Sequence, residues 1–238
     1  SGQTARLMSN AALPETAARV SAVTTVGCLT PEALVMEASA TRPLTPEASA
    51  PPPLTPLLFS RLHDERDQLE GVLRWGAGAL IAGLQPASLL RIPTPFSATW
   101  ERECAVLCDI LRVSAFCLRK NLVLLYRRGP LARKTGAGAP AHYLASLGYP
   151  ISAGLSACLT ALKSRFDNPA SFPHEVGVFL GYPLQDVIHF SAGHRAPYHC
   201  RGYWQVYHRP DRAKRAFAYM DAARSQVVRD FLARTSLA

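Results

Sequence analysis

Apolar residues recur at helical and strand periods from about Leu57 to the end of the chain, and only weakly before it. His63–Leu84 reads as a helix with a polar first half, an Ala, Gly, Leu and Trp second half, and Pro86 as its stop. Gly76, Gly78 and Gly83 lower its propensity and permit close approach by another backbone. Thr99–Leu111 predicts a second helix, with Thr99 as its cap and Glu101 and Glu103 in its first turn. Cys104, Leu107, Cys108 and Leu111 share one face of it and read as core. Leu122–Tyr126 is a nearly unbroken apolar run closed by Arg127–Pro130, the pattern of a central strand. A third strand is expected near Ala87–Ile92 or Val113–Cys117. Ala139–Leu147 and Ser152–Phe166 read as helices. Two short ones follow, Pro173–Leu180 and Leu184–Phe190, parted by Gly181-Tyr182-Pro183. Residues 192–201 form a loop, Tyr203–Tyr207 alternates as a strand, and Asp211–Leu232 closes the chain as a helix.

This order predicts an α+β fold, predominantly helical, with a small central sheet of two to four strands. Residues 57–238 are expected to form a single domain. Residues 1–56, rich in Ala, Pro, Thr and Ser and densest in proline over Thr41–Pro56, read as a largely flexible extension and linker.

Charge follows the same division. Residues 1–60 carry three Arg and four Glu, whereas the rest carries 23 basic and 13 acidic side chains, so the net +9 belongs to the patterned part. A basic domain favours anions, and a small anionic ligand or nucleic acid are the partners this implies. Only four of the 26 basic residues are lysine, so genome composition is the simpler source of the charge. The six cysteines form no CxxC pair, and the start SGQTARLMSN has no apolar core of the secretory kind. A reducing cytoplasm is the expected compartment, with no membrane span, since the longest apolar stretch, Trp75–Leu84, is too short. Oligomeric state is left open.

Two runs are more distinctive than the periodicity: Phe172–Val187 (FPHEVGVFLGYPLQDV) and Cys200–Tyr207 (CRGYWQVY). With Leu80–Leu90, Leu122–Leu131 and Tyr143–Pro150, they make residues 77–222 resemble the DUF3793 family of bacterial and archaeal proteins. The resemblance implies a small cytoplasmic protein and carries no assigned reaction. The chain departs from the family pattern in four places. A Cys is usual near Gly76–Gly78, Lys is usual at Gln85 and at Gln205, and a Cys is often found near Ala222 or Ala223.

His174 and Glu175 are adjacent and followed by Val176-Gly177-Val178, so they form no HExxH site. Imidazole near a helix N-terminus tends to stay neutral and serves as a base or acceptor. The plainer reading makes His174 a buried partner and Glu175 a first-turn carboxylate. Cys200 with His174 as base and Glu175 as orienting group has the residue types of a thiol nucleophile, and these three are the candidate catalytic residues. His189, His194, His199 and His208 fall close to Cys200. His174, His199 and Cys200 are the candidate metal ligands, with donor types suited to zinc, iron or a haem. Tyr182, Tyr203 and Trp204 are the candidate cofactor-binding aromatics. No GxGxxG or GxxxxGK loop is present, and Gly148-Tyr149-Pro150 repeats the Gly-Tyr-Pro tripeptide after a Leu, which marks both as helix stops. Three functions follow in order: a small-ligand, metal or haem pocket near His174 and Cys200; a thiol-dependent enzyme; and a basic nucleic-acid or protein interaction module.

Overall fold

The computed structural model describes residues 56–119, 122–168, 171–193 and 197–235. The expected N-terminal extension lies outside the described residues, as does His194. The architecture is α+β and mainly helical, with a three-stranded antiparallel sheet and a separate two-stranded hairpin. The sheet comprises β1 (Ala87–Leu90), β2 (Ser114–Arg119) and β3 (Leu122–Tyr126), in the order β1-β3-β2. The apolar run expected to be central is the central strand, and where one further strand is expected at either of two places, a strand forms at each. Ala87 pairs with Tyr126 on one side of β3, and Ser114 pairs with Tyr126 on the other.

β3 is apolar throughout because both faces of the sheet are covered. Val123 and Leu125 point into a cluster with Leu69, Leu73, Trp100 and Leu107, which come from α1 (Glu65–Gly76) and α3 (Ser97–Leu111). Leu122 and Leu124 point the other way. They meet side chains of α4 (Arg128–Gly136), α5 (Gly138–Ser146), α6 (Gly154–Phe166) and α7 (Val176–Phe179). Cys104, Leu107 and Leu111 are buried as the stripe predicts, and burial pushes the Cys104 thiol pKa up. The long α9 (Pro210–Thr235) lies against α1 and the single turn α2 (Gly78–Ile81).

Several boundaries differ from the sequence reading. The first helix starts at Glu65, where Asp64 caps it by accepting from the Arg66 N–H at 2.8 Å, and it is interrupted at Ala77, between two glycines. Thr99 is no cap. The helix begins at Ser97, and Thr99 sits buried inside it, accepting from Arg102 Nη2 at 3.3 Å. Arg127–Pro130 does not simply turn the chain; it opens α4. Pro130 falls at the third helical position, where its missing N–H has no intrahelical acceptor to lose. Tyr203–Tyr207 reduces to β5 (Gln205–Val206), paired with β4 (Cys200–Arg201), and Gly202-Tyr203-Trp204 forms the bend between them.

The Gly-Tyr-Pro tripeptides act as helix stops. Gly148 and Gly181 both take φ near +85°, at +85° and +87°. Gly181 also rests on Pro86, where a Cβ would come within 2.6 Å of its ring. The turn after α7 is thereby docked on the entrance to β1.

Candidate functional site

His174 and Glu175 lie in a tight turn rather than in regular helix. The N–H of Val176 bonds to the Pro173 carbonyl at 3.0 Å, and that of Gly177 to the His174 carbonyl at 3.1 Å. Within this turn the two side chains part. Glu175 is 8 % exposed and points into the core. It accepts from the Tyr149 hydroxyl at 2.9 Å and from Arg165 Nη1 at 3.2 Å. Arg165 lies over the Tyr149 ring at 4.6 Å and donates its other nitrogen, Nη2, to the Leu147 carbonyl. Burial and the adjoining carboxylate push the Tyr149 phenol far above its usual range. This matched network ties the α5–α6 corner to the turn before α7.

His174 faces the other way. Its ring is held between Phe172, at 5.5 Å, and Phe190, edge-on at 4.8 Å. Its Nδ1 is buried with no hydrogen-bond partner among the described residues. Desolvation lowers the imidazole pKa, opposed by the charge of Glu175, so His174 is neutral at neutral pH.

His174 lines a cavity of about 90 Å³, partly open to solvent. β1 contributes Ala87, Ser88 and Leu89, and Gln85 precedes it. Val176, Gly177 and Leu180 come from α7 and its end, and Asp186, Val187 and Phe190 from α8 (Leu184–Ser191). Tyr182, Tyr203, Trp204 and Gln205 close one wall, and Arg224 of α9 completes it. Close packing shapes this space: a Cβ on Gly177 would lie 2.9 Å from Val187 and 3.2 Å from Tyr182. The three aromatic residues singled out from sequence, Tyr182, Tyr203 and Trp204, therefore share a wall with His174. Tyr182 and Trp204 pack at 5.1 Å, and burial pushes the Tyr182 and Tyr203 phenols well above their usual range.

Cys200 is absent from that wall. It is half-buried against the Tyr203, Trp204 and Val206 cluster and bonds to no histidine among the described residues. Burial is the largest influence on its thiol and pushes the pKa up, so it is not a preformed thiolate. His199 is exposed, and its backbone N–H donates to the Val206 carbonyl at 2.8 Å. Among the described residues no three His, Cys, Asp or Glu side chains are grouped to hold a metal ion.

Two residues that the sequence reading passed over organise the site. Asp186, 2 % exposed, accepts from Trp204 Nε1 and the Tyr207 N–H, both at 2.9 Å, and from the His208 N–H at 3.0 Å. It also contacts His208 Nδ1 at 3.2 Å. It looked like an ordinary first-turn acid; the only sequence hint was a Trp and polar residues about twenty positions on. Arg224 lies over the rings of Trp75, at 4.9 Å, and Tyr203, at 5.0 Å. Nothing in its sequence context separates it from the other arginines of α9. Gly76, Gln85 and Gln205, three positions of departure from the family pattern, also line the cavity.

A second recess, of about 270 Å³, is wider and more polar. Arg112, Arg127, Arg128 and Asp109 border it, and Arg127 donates to the Ile81 carbonyl at 2.8 Å. Among the described residues no single helix is long and apolar enough to cross a membrane.

Fold and site together define an α+β domain with a small aromatic-walled cavity between its sheet edge and its C-terminal hairpin. Residues 75–238 match the family described as Protein of unknown function (DUF3793), and the chain belongs to that family. Every described residue lining the cavity falls inside the matched segment. No curated protein and no solved structure matches the chain.

Proposed function

We propose that this domain binds a small, mainly apolar molecule in the His174 cavity. The observation that carries the reading is the buried Nδ1 of His174, without a partner among the described residues, in a wall that is mainly aliphatic and aromatic with a few polar side chains. Buried polar atoms are normally hydrogen-bonded, and an exception on a side chain that lines a cavity invites a partner from outside the chain. A neutral imidazole accepts or donates at that nitrogen according to its tautomer, so the ligand needs one polar atom beside its apolar body. The cavity, and not the Cys200 thiol, is favoured as the working part, because the thiol is protonated and lies off the wall.

The test is a titration of the full chain with p-cresol, benzyl alcohol and indole, followed through amide shifts in nuclear magnetic resonance. Saturable shifts centred on Gly177, Val187 and Gln205 are expected. Absence of saturable binding by all three probes, or shifts confined to the Arg112–Arg128 recess, overturns the reading.

A further inference from the structure

The charge of one wall residue narrows the ligand, and this step rests on the cavity reading above. Arg224 lines the cavity with its guanidinium over two aromatic rings, Trp75 and Tyr203. Among the described residues it makes no ion pair and no hydrogen bond. The carboxylate nearest to it along α9, Asp221, is engaged elsewhere, accepting from the Tyr203 hydroxyl at 2.9 Å. Stacking uses the flat faces of a guanidinium and leaves its in-plane N–H donors, whose fork geometry matches a carboxylate.

The position of this group is fixed by backbone packing. Gly78 of α2 sits directly against α9, where a Cβ would fall 2.7 Å from the Cα of Arg224. Among the described residues the only other charged lining residue is Asp186, and its two oxygens are matched by the donors of Trp204, Tyr207 and His208. The described lining therefore carries one charge without a counter-charge, and it is positive. Its volume, about 90 Å³, is below the roughly 150 Å³ of an engineered cavity that takes up benzene. With one side partly open, that limits the ligand's body to a single small ring or a short chain.

We infer that the ligand is a small monocarboxylate, its carboxylate paired with Arg224 and its aryl or short alkyl body against Leu89, Val187, Tyr182 and Trp204. An anion bound this way trades water for a charge-assisted bidentate pair in a wall of low polarity, where the pair gains most over its neutral analogue.

Affinities of benzoate and hexanoate are to be compared with those of benzamide and hexanamide by calorimetry or resonance shifts, on the full chain. The acids are expected to bind about tenfold or more tightly than the amides. Arg224→Gln should abolish that preference, and Arg224→Lys, a point charge without the fork, should restore only part of it. Amides that bind as well as acids, or a preference that survives Arg224→Gln, overturn the inference while leaving the cavity reading standing. Failure of both acids and amides to bind, together with the neutral probes above, removes the cavity reading itself. Should Arg224→Gln not fold, the acid-to-amide ratio on the unaltered chain decides alone, and a ratio near one overturns the inference.

Discussion

His174 and Glu175 are neighbours in sequence and sit on opposite kinds of ground. Around Glu175 every strong polar group has a partner: the carboxylate takes the Tyr149 hydroxyl and Arg165, and Arg165 also reaches the Leu147 carbonyl. Around His174 the packing is incomplete: among the described residues its ring nitrogen has no partner and the Arg224 guanidinium no ion pair, and a cavity lies beside them. A fold that closes one region and leaves the next one open, one residue away, separates the groups that hold it together from the groups free to bind. The lesson is that a conspicuous pair of chemical residues need not act as a pair.

The sharpest way to break this contrast lies on the border of the open region. Asp186 belongs to the cavity wall, yet it is fully matched and should behave as a structural residue. Asp186→Ala would strip acceptors from Trp204 Nε1, two backbone N–H groups and His208, and loosen the hairpin from α8. Leaving the Trp204 N–H and two partly buried backbone N–H groups without an acceptor costs about 1–3 kcal/mol each, which puts the loss at about 3–5 kcal/mol. Urea unfolding should show that loss, with Asp186→Asn losing less because its amide oxygen still accepts. A loss near zero would mean that the hairpin does not depend on this carboxylate.

The closed region supplies the next test. Glu175→Ala leaves the buried Tyr149 hydroxyl unmatched, whereas Arg165, whose side chain is 37 % exposed, can turn to water. That asymmetry sets the expected cost at about 2–3 kcal/mol, below that of Asp186. Glu175→Gln, which can still accept from both, should recover part of it. Cavity probes should bind both variants with unchanged affinity at temperatures where the variants are folded. A large drop in probe affinity would place Glu175 in the open region and dissolve the contrast.

The distinction between these regions was only partly legible in the sequence. β3 was readable because Leu122–Tyr126 is apolar at every position, which only a strand covered on both faces demands. The helix stops at Gly148 and Gly181 were readable because each follows a Leu and takes the positive φ that favours Gly. α4 was not, because Pro130 reads as a breaker unless one knows it occupies the first turn. In the site, Tyr182, Tyr203 and Trp204 were singled out by residue type and proximity in the chain, and the fold places all three on the cavity lining. The grouping of Cys200 with His174 came from residue chemistry alone, and the fold places the thiol outside the cavity wall. Asp186 and Arg224 escaped notice because their roles depend on partners far along the chain: Trp204 lies 18 residues from Asp186, and Arg224 reaches back to Trp75.

The smallest effect is the most discriminating. His174→Phe removes a half-buried imidazole whose Nδ1 has no partner among the described residues and leaves a ring that can pack between Phe172 and Phe190. Near neutrality the substitution should cost nothing and gain up to about 1 kcal/mol, since an unmatched polar atom leaves the interior. Acidification should widen the gap. Burial holds the His174 pKa below its ordinary 6.5, so at mildly acid pH the unfolded chain takes up a proton at this site that the folded chain refuses. Stability is then full above about pH 6.5 and falls as pH drops toward the folded-state pKa, by at most about 1.4 kcal/mol per pH unit for one proton. Partial exposure of the ring keeps the slope below that bound. The phenylalanine variant lacks this slope, while every other histidine contributes equally to both proteins. Urea unfolding of the pair at about pH 7.5 and about pH 5.5 isolates the difference. A gap that stays constant with pH would show that the folded protein accepts the proton on His174 as readily as the unfolded chain does. His174 would then lie in surroundings as well matched as those of Glu175, and the open region would lose its defining residue.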